Sequence, residues 1–89
     1  MTYVIRPADI TIPNVITPNG DGMNDAFLIE NIEFFQNELA IFDRWGIIVY
    51  EKKDYRNQWK GEEQPEGTYY YVLVLEDGRD FTGHLTLLR

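Results

Sequence analysis

The segment that most constrains the fold is Leu39–Glu51, in which two short apolar runs flank Arg44-Trp45-Gly46. β-branched and aromatic residues dominate both runs, and each run is too short to form a helix. The glycine that ends the connector predicts a three-residue hairpin loop, a type I turn followed by Gly46 in the left-handed region as a G1 bulge. Such a loop pairs Asp43 with Ile47 and Ile41 with Val49. Both faces of these strands are then apolar, so we expect an interior hairpin of a two-layer β protein.

A second hairpin is predicted from Gly67–Leu75 and Phe81–Leu88, and its loop allows two registers. A two-residue Asp77-Gly78 turn pairs Val74 with Phe81, whereas a three-residue loop that begins at Glu76 pairs Leu73 with Phe81. The two registers turn opposite faces inward. We favour the three-residue loop because it buries more apolar surface and sets the Tyr71 ring over the bare backbone of Gly83.

Shorter strands are expected elsewhere, and no segment shows sustained i, i+3, i+4 periodicity. The predicted short strands are Tyr3–Ile5, Ile10–Ile12, Ala26–Ile29, and Gln58–Gly61 with a buried Trp59. About seven strands with turn signals between them predict an all-β fold, an immunoglobulin-like antiparallel β-sandwich. We expect one domain over residues 1–89, in which residues 1–11 are a leading strand or linker.

Composition excludes several functional classes. The net charge is −7 and the only adjacent basic pair is Lys52-Lys53, so nucleic acid and anionic membrane surfaces are poor partners. No apolar run approaches the roughly 20 residues of a membrane span, so membrane insertion is not expected. Cysteine and serine are both absent, and no paired carboxylates lie in an apolar context. We therefore do not expect an enzyme.

One loop carries the residues of a metal site. The side chains of Asn19, Asp21, Asn24 and Asp25 bring hard oxygen ligands together within seven residues, as Ca²⁺ requires. The spacing differs from that of an EF-hand loop, because Gly22 falls at the fourth position and no glutamate closes the twelfth. A series of Asx-turns and left-handed glycines explains the same residues without a metal, and we favour that interpretation. The sequence therefore predicts no cofactor, with calcium as the alternative.

Aromatic residues raise a further possibility. Trp45, Trp59, Tyr50 and Tyr55 could form a sugar-stacking platform, as in a carbohydrate-binding module. A tryptophan in a small sandwich more often belongs to the core or caps the end of a hairpin. The core interpretation is therefore favoured.

Several motifs in a fixed order resemble one known family. They are Thr17–Phe27, Ile41–Gly46 followed by Val49–Glu51, Tyr55 with Asn57, Trp59–Gly61, Gly67–Tyr71 and a final Arg89. From about Ile12 to Arg89 the chain resembles the type B C-terminal sorting domain of Bacteroidota proteins, often labelled the gliding-motility-associated C-terminal domain. It departs from the family pattern at Asp43, where Asn is usual, at Lys60, where Asp is usual, and in a compact loop at Gln64–Glu66. None of these changes removes a glycine or aromatic landmark.

The resemblance implies a sorting signal at the end of a larger exported protein, recognised by the type IX secretion system after export to the periplasm. The end of the chain directly after the last predicted strand favours this function. The alternative is a cell-surface adhesion or carbohydrate-binding module. The implied partners are the secretion machinery and an outer-membrane or shuttle protein. The implied location is the cell surface or the medium, and the isolated domain is expected to be a monomer.

The predicted partner contacts are the Arg44-Trp45-Gly46 tip and Arg89, with the edges of the sandwich as a further surface that a partner could pair with. A second set of motif residues is expected to maintain the fold. These are Gly20, Gly22, Trp59, Gly61, Gly67, Tyr69 and Tyr71.

Overall fold

A computed structural model describes residues 10–20 and 25–89. Within these residues five strands form one sheet: β1 (Val15–Ile16), β2 (Asn37–Phe42), β3 (Ile48–Lys53), β4 (Gly67–Leu75) and β5 (Asp80–Leu87). A short 3₁₀ turn, Ile32–Phe34, precedes β2. The predictions for residues 1–9 and for Asp21, Gly22 and Asn24 lie outside the described residues.

The sheet is mixed, with strand order β1-β5-β4-β2-β3. The pairs β4–β5, β2–β4 and β2–β3 are antiparallel, and β1 pairs in parallel with β5. The all-β prediction is confirmed, whereas a purely antiparallel arrangement is wrong because of β1. The carbonyls of Asn14 and Ile16 accept from β5, and the next N–H in this phase would come from Pro18, which has none, so the ladder ends there.

The β4–β5 hairpin has the predicted three-residue loop. The backbone N–H of Leu75 donates to the carbonyl of Arg79 at 2.8 Å, and Gly78 has a φ of +93°. Leu73 then lies opposite Phe81, and Tyr71 lies opposite Gly83. This register is the one that we favoured.

The β2–β3 hairpin follows the prediction only near its loop. Asp43 pairs with Ile47 and Gly46 has a φ of +81°, as predicted. One step further, a β-bulge at Val49 shifts the register, so that Ile41 lies opposite Tyr50 rather than Val49. The extra residue turns the Tyr50 ring toward the core, where it lies 5.9 Å from the ring of Trp59.

The prediction of an interior hairpin is also wrong for one of its strands. β2 lies between β4 and β3, but β3 is at the edge of the sheet, and the Ile48 side chain is 48% exposed. Two apolar faces in sequence therefore correspond here to one buried face and one open face.

A largely irregular layer covers the buried face of the sheet. The buried residues of this layer are Ile10, Phe27, Ile29, Ile32, Phe35, Tyr55 and Trp59. The predicted strand at Ala26–Ile29 has the expected alternation, with Phe27 and Ile29 buried and Leu28 52% exposed, but it is not a regular strand. Its neighbours supply only isolated backbone bonds, from Phe27 N–H to the Trp59 carbonyl and from Glu30 N–H to the Thr11 carbonyl. The predicted strand at Gln58–Gly61 is likewise irregular, although Trp59 is buried as expected.

Candidate functional site

The loop between β2 and β3 is held from inside by Asp43. Its Oδ1 accepts hydrogen bonds from the backbone N–H groups of Trp45 at 2.9 Å and Ile47 at 3.0 Å. The Gly46 N–H donates to the Asp43 carbonyl at 3.0 Å. Aspartate offers the same acceptor oxygen as the asparagine that is usual here in the resembled family, so the departure leaves the turn intact.

Arg44 and Trp45 project from this fixed turn. The Trp45 side chain is 71% exposed, and the Arg44 guanidinium carbon lies 4.3 Å from the centre of its ring. This cation–π contact holds a flexible charged group against an apolar surface. The tip can therefore offer a bidentate contact for a carboxylate next to an aromatic plane.

A shallow groove of about 180 Å³ separates the tip from the chain that enters β4. Residues 43–45 line one side of the groove, and residues 64–69 line the other. Tyr69 fixes the second side, because its buried ring carries a hydroxyl that donates to the Pro65 carbonyl at 2.6 Å. A tyrosine at the start of a strand that bonds back to the preceding corner is a recurrent feature of immunoglobulin-like sandwiches.

Arg89 lies at the same end of the molecule. Its Nη2 donates to the Gln64 carbonyl at 2.6 Å and also to the carbonyl of Gly61, while its backbone N–H donates to the Glu66 carboxylate. The guanidinium thus ties the end of the chain to the loop that lines the groove. Its role as a partner contact remains a prediction.

Three charged side chains at this end of the molecule affect the pKa of Tyr69. Burial raises the pKa of the Tyr69 hydroxyl, the negative charge of Asp43 adds to the rise, and the cations Arg89 and Arg44 oppose it. Two of the predicted partner contacts, which are 45 residues apart in sequence, therefore act on one side chain. We call this region the tip end: residues 43–46, residues 64–69 and Arg89.

Three of the motif glycines adopt a backbone conformation that favours glycine. Gly61 has a φ of +71°, and a Cβ there would lie 2.8 Å from Leu87 Cδ2. Gly67 has a φ of +151° at the start of β4. Gly20, in the loop that follows β1, has a φ of +81°. All three adopt conformations that a residue with a side chain resists.

Two of the motif aromatics belong to the core. The buried Tyr55 hydroxyl donates to the Phe27 carbonyl at 2.8 Å and accepts from the Trp59 N–H at 3.0 Å. Burial raises the pKa of Tyr55 strongly, so the phenol stays neutral and keeps both bonds. Tyr50 is half-buried against them, which leaves Trp45 as the exposed member of the four proposed for sugar stacking. These four residues therefore do not form an exposed platform.

Sequence reasoning missed two side chains that join the layers. Asn37 is buried, and its amide donates to the Phe35 carbonyl and accepts from the Tyr55 N–H at 3.0 Å. The Arg56 guanidinium donates to the carbonyls of Phe35 and Tyr55 at 3.3 and 2.9 Å. The sequence pattern could have identified Asn37, because this residue lies on the same strand face as Leu39 and Ile41. A polar side chain on a buried face needs a hydrogen-bond partner.

The loop proposed for calcium is described only in part. Asp25 Oδ1 accepts hydrogen bonds from the backbone N–H groups of Asn19 at 3.1 Å and Gly20 at 3.0 Å. In residues 10–20 and 25–89 no group of three or more His, Cys, Asp or Glu side chains is placed to hold a metal. Asp21 and Asn24 are not among these residues, so the choice between turn and calcium site remains a prediction.

The sequence matches a known protein family over most of its length. Residues 10–87 match the family model of the CHU_C type IX secretion signal domain. The chain belongs to this family. No match was found among curated proteins or among solved structures. The resemblance inferred from the motifs is thereby confirmed, with nearly the same boundaries.

Membership of this family of secretion signal domains indicates the role of the chain. The domain is a sorting signal that interacts with the type IX machinery and directs export toward the cell surface or medium. The family is one of secretion signals rather than of enzymes. Among the described residues, no helix is both long and apolar enough to cross a bilayer.

Proposed function

We propose that this secretion signal domain carries a larger protein from the periplasm through the type IX system by presenting the Arg44-Trp45-Gly46 tip to an outer-membrane or shuttle protein. The observation that carries the proposal is the exposed Trp45 ring, 71% accessible and stacked by Arg44 on a turn that Asp43 holds in place. A receptor that exports many different proteins must recognise features that their folded signal domains share. A preformed turn meets that need at little entropic cost on binding.

The neighbouring groove supports the same assignment. It places Glu66 and the fixed corner of Tyr69 beside the tip, and Arg89 ties the adjoining loop. A partner that contacts the tip would therefore meet a rigid surface that exists only in the folded state.

For the fold, we propose an immunoglobulin-like sandwich whose second sheet is reduced to isolated contacts. The order β1-β5-β4-β2-β3 supports this, because it matches the sheet of a variable-type domain with an added parallel edge strand. The Thr11–Glu30 bridge and the bond from Phe27 to Trp59 support a second layer of three short segments. We propose that such a domain is a monomer when isolated.

An export assay tests the receptor contact. The 89 residues are fused to a neutral periplasmic reporter in a host with a working type IX system, and the exported fraction is measured for wild type and Arg44→Ala. We expect Arg44→Ala to change the free energy of unfolding by no more than about 0.5 kcal/mol and to lower export. Arg79→Ala is the matched control, because Arg79 follows the loop of the other hairpin.

The outcomes separate two claims. Periplasmic retention of the wild-type fusion would show that the domain does not sort. Export of Arg44→Ala at the wild-type level would remove the tip as a receptor contact and leave the sorting role in place. A large loss of stability would show that Arg44 supports the fold instead.

A further inference from the structure

One face of the sheet is not covered by any of residues 10–20 and 25–89. Residues that alternate with the core positions of β2–β5 point away from the buried layer, and we call this side the open face. Six apolar side chains form a continuous stripe across its centre: Ala40, Phe42, Ile48, Tyr70, Val72 and Val74. Phe42 lies opposite both Tyr70 and Ile48, and Ala40 lies opposite Val72.

The stripe is accessible and concave. The side chains of Ile48, Tyr70 and Val74 are 48%, 47% and 43% exposed. The short side chain of Ala40 leaves a trough of about 300 Å³, which Val72 and Val74 border on one side and β3 on the other. A contiguous apolar surface of this kind on a soluble domain indicates an interaction site.

Carboxylates border the apolar stripe at the end formed by Val74 and Ala40. Glu38, Glu51 and Asp80 lie on the open face, together with Lys53. The exposed Lys52 alternates to the other side of β3 but also lines the trough. Lys53 and Glu38 offset each other, because Lys53 Nζ lies 3.6 Å from the Glu38 carboxylate, and Glu51 and Asp80 remain as further negative charges. The rim is therefore acidic, in a chain whose net charge is −7. Self-association through this face would bring like charges together, whereas a basic partner would be attracted.

Both edges of the sheet oppose the other common mode of recognition, strand addition. β3 carries the bulge at Val49 and the lysines 52 and 53, which are features that discourage edge pairing. β1 offers only two residues. Recognition through the open face needs none of these edge groups.

We propose that the open face is a docking surface for a protein segment that presents apolar side chains flanked by lysine or arginine. The apolar side chains enter the Ala40 trough and cover the stripe, and the basic groups meet the rim carboxylates. This inference rests on the proposed sorting role, since it assigns the partner to the export machinery. It adds a second contact surface beside the tip end.

The reporter fusion tests this surface with Val74→Lys, which places a cation in the stripe, and with Val74→Thr, which keeps the β-branched shape but adds a hydroxyl. Leu28→Lys is the matched control, because Leu28 is 52% exposed on the opposite, covering layer. We expect Val74→Lys to lower the exported fraction about tenfold and Val74→Thr to lower it less, with Leu28→Lys exported as wild type. Thermal midpoints should stay within about 4–8 °C of wild type.

Each outcome decides a claim. If the wild-type fusion is retained in the periplasm, the sorting role fails and this inference fails with it. If wild type and Val74→Lys are exported equally, the docking surface alone is overturned. If Val74→Lys does not fold, equal export of Val74→Thr and wild type overturns it. Sedimentation of the isolated domain adds one further check, because a dimer that Val74→Lys converts to a monomer would make the face a self-interface.

Discussion

The two hairpins of this domain share one loop design but differ in how far the loop determines the register. Both loops have three residues and end in a glycine with positive φ, Gly46 or Gly78. In each, the Oδ1 of an aspartate accepts a backbone N–H, from Asp43 just before the first loop and from Asp77 inside the second. The β4–β5 register continues unbroken to Gly67 and Leu87. The β2–β3 register breaks at Val49. The turn fixes the first pair, and the neighbours of each strand decide the rest.

The difference follows from the number of neighbours. β5 has β4 on one side and β1 on the other, so a shift in its register would break pairs on both sides. Within the described residues β3 pairs with β2 alone, and it can accept an extra residue when that buries a large ring. Here the ring is that of Tyr50, which packs 6.1 Å from Tyr55. A bulge in an edge strand can thus interrupt the regular pairing and place a side chain in the core.

The largest expected effect comes from deletion of residues 85–89, which removes the inner end of the regular hairpin. Leu85 and Leu87 are fully buried, and each contributes about 1.5–3 kcal/mol. The deletion also removes both pairing partners of β1. Because small domains have only about 5–15 kcal/mol in total, we expect no cooperative thermal transition by circular dichroism. Deletion of Leu88 and Arg89 alone is the control and should leave a folded domain, since Leu88 is 47% exposed. A cooperative transition in the longer deletion would contradict this view of β5.

Gly83→Ala should be the next most damaging change, because it tests the register of the regular hairpin directly. A Cβ on Gly83 would lie 2.7 Å from the Tyr71 hydroxyl and 2.9 Å from its ring. Displacing that ring should cost about 1–3 kcal/mol in urea unfolding. Tyr71→Phe removes the nearest atom, so the double variant should lose less than the sum of the single losses. Additive losses would show that the ring does not cover Gly83.

The shared loop design predicts a smaller and equal effect at the two turn glycines. Gly46→Ala and Gly78→Ala each force an alanine to positive φ, and nothing lies within 4 Å of either new Cβ. Each change should lower the free energy of unfolding by about 1 kcal/mol, from backbone strain alone. Chemical denaturation of both variants measures this. If only one glycine matters, the two loops are not equivalent.

The smallest expected effect concerns a third loop, at whose end Asp25 accepts the N–H groups of Asn19 and Gly20. If this loop is a turn of the same kind as the two hairpin loops, EDTA should leave the melting temperature unchanged. A bound calcium ion would instead stabilise the folded state by mass action, so its removal would lower that temperature by several degrees. Differential scanning fluorimetry with EDTA and then with excess Ca²⁺ decides between the two. Restoration by Ca²⁺ would establish a metal site.

The sequence predicts the structural features that depend on residues close to one another along the chain. The glycine of each turn, the alternation of Phe27 and Ile29, and the burial of Trp59 all follow from local pattern. The edge position of β3 does not, because it results from the pairing of β2 with β4 across about thirty residues of chain. The irregular covering layer was missed for a similar reason. The Ile29 N–H, for example, donates to the side chain of Asn57 rather than to a strand.

The candidate site divides in the same way. The exposed Arg44-Trp45-Gly46 tip was predictable, since a three-residue loop projects from its hairpin. The contacts of Arg89 with Gly61 and Gln64 were not, because no local pattern shows which carbonyls lie within reach of a side chain more than twenty residues away.

The buried amide of Asn37 has a consequence for how the domain opens. Asn37 and the neighbouring chain exchange four hydrogen bonds at residues 54 and 55, two of them through the side-chain amide and two through the backbone of Asn37. The covering layer cannot separate from β2 without leaving this amide unpaired, at a cost of about 1–3 kcal/mol. Sheet and cover are therefore one cooperative unit for amide hydrogen exchange. The Tyr55 N–H should exchange with solvent only through global unfolding, on the same timescale as the central pairs of β2 and β4.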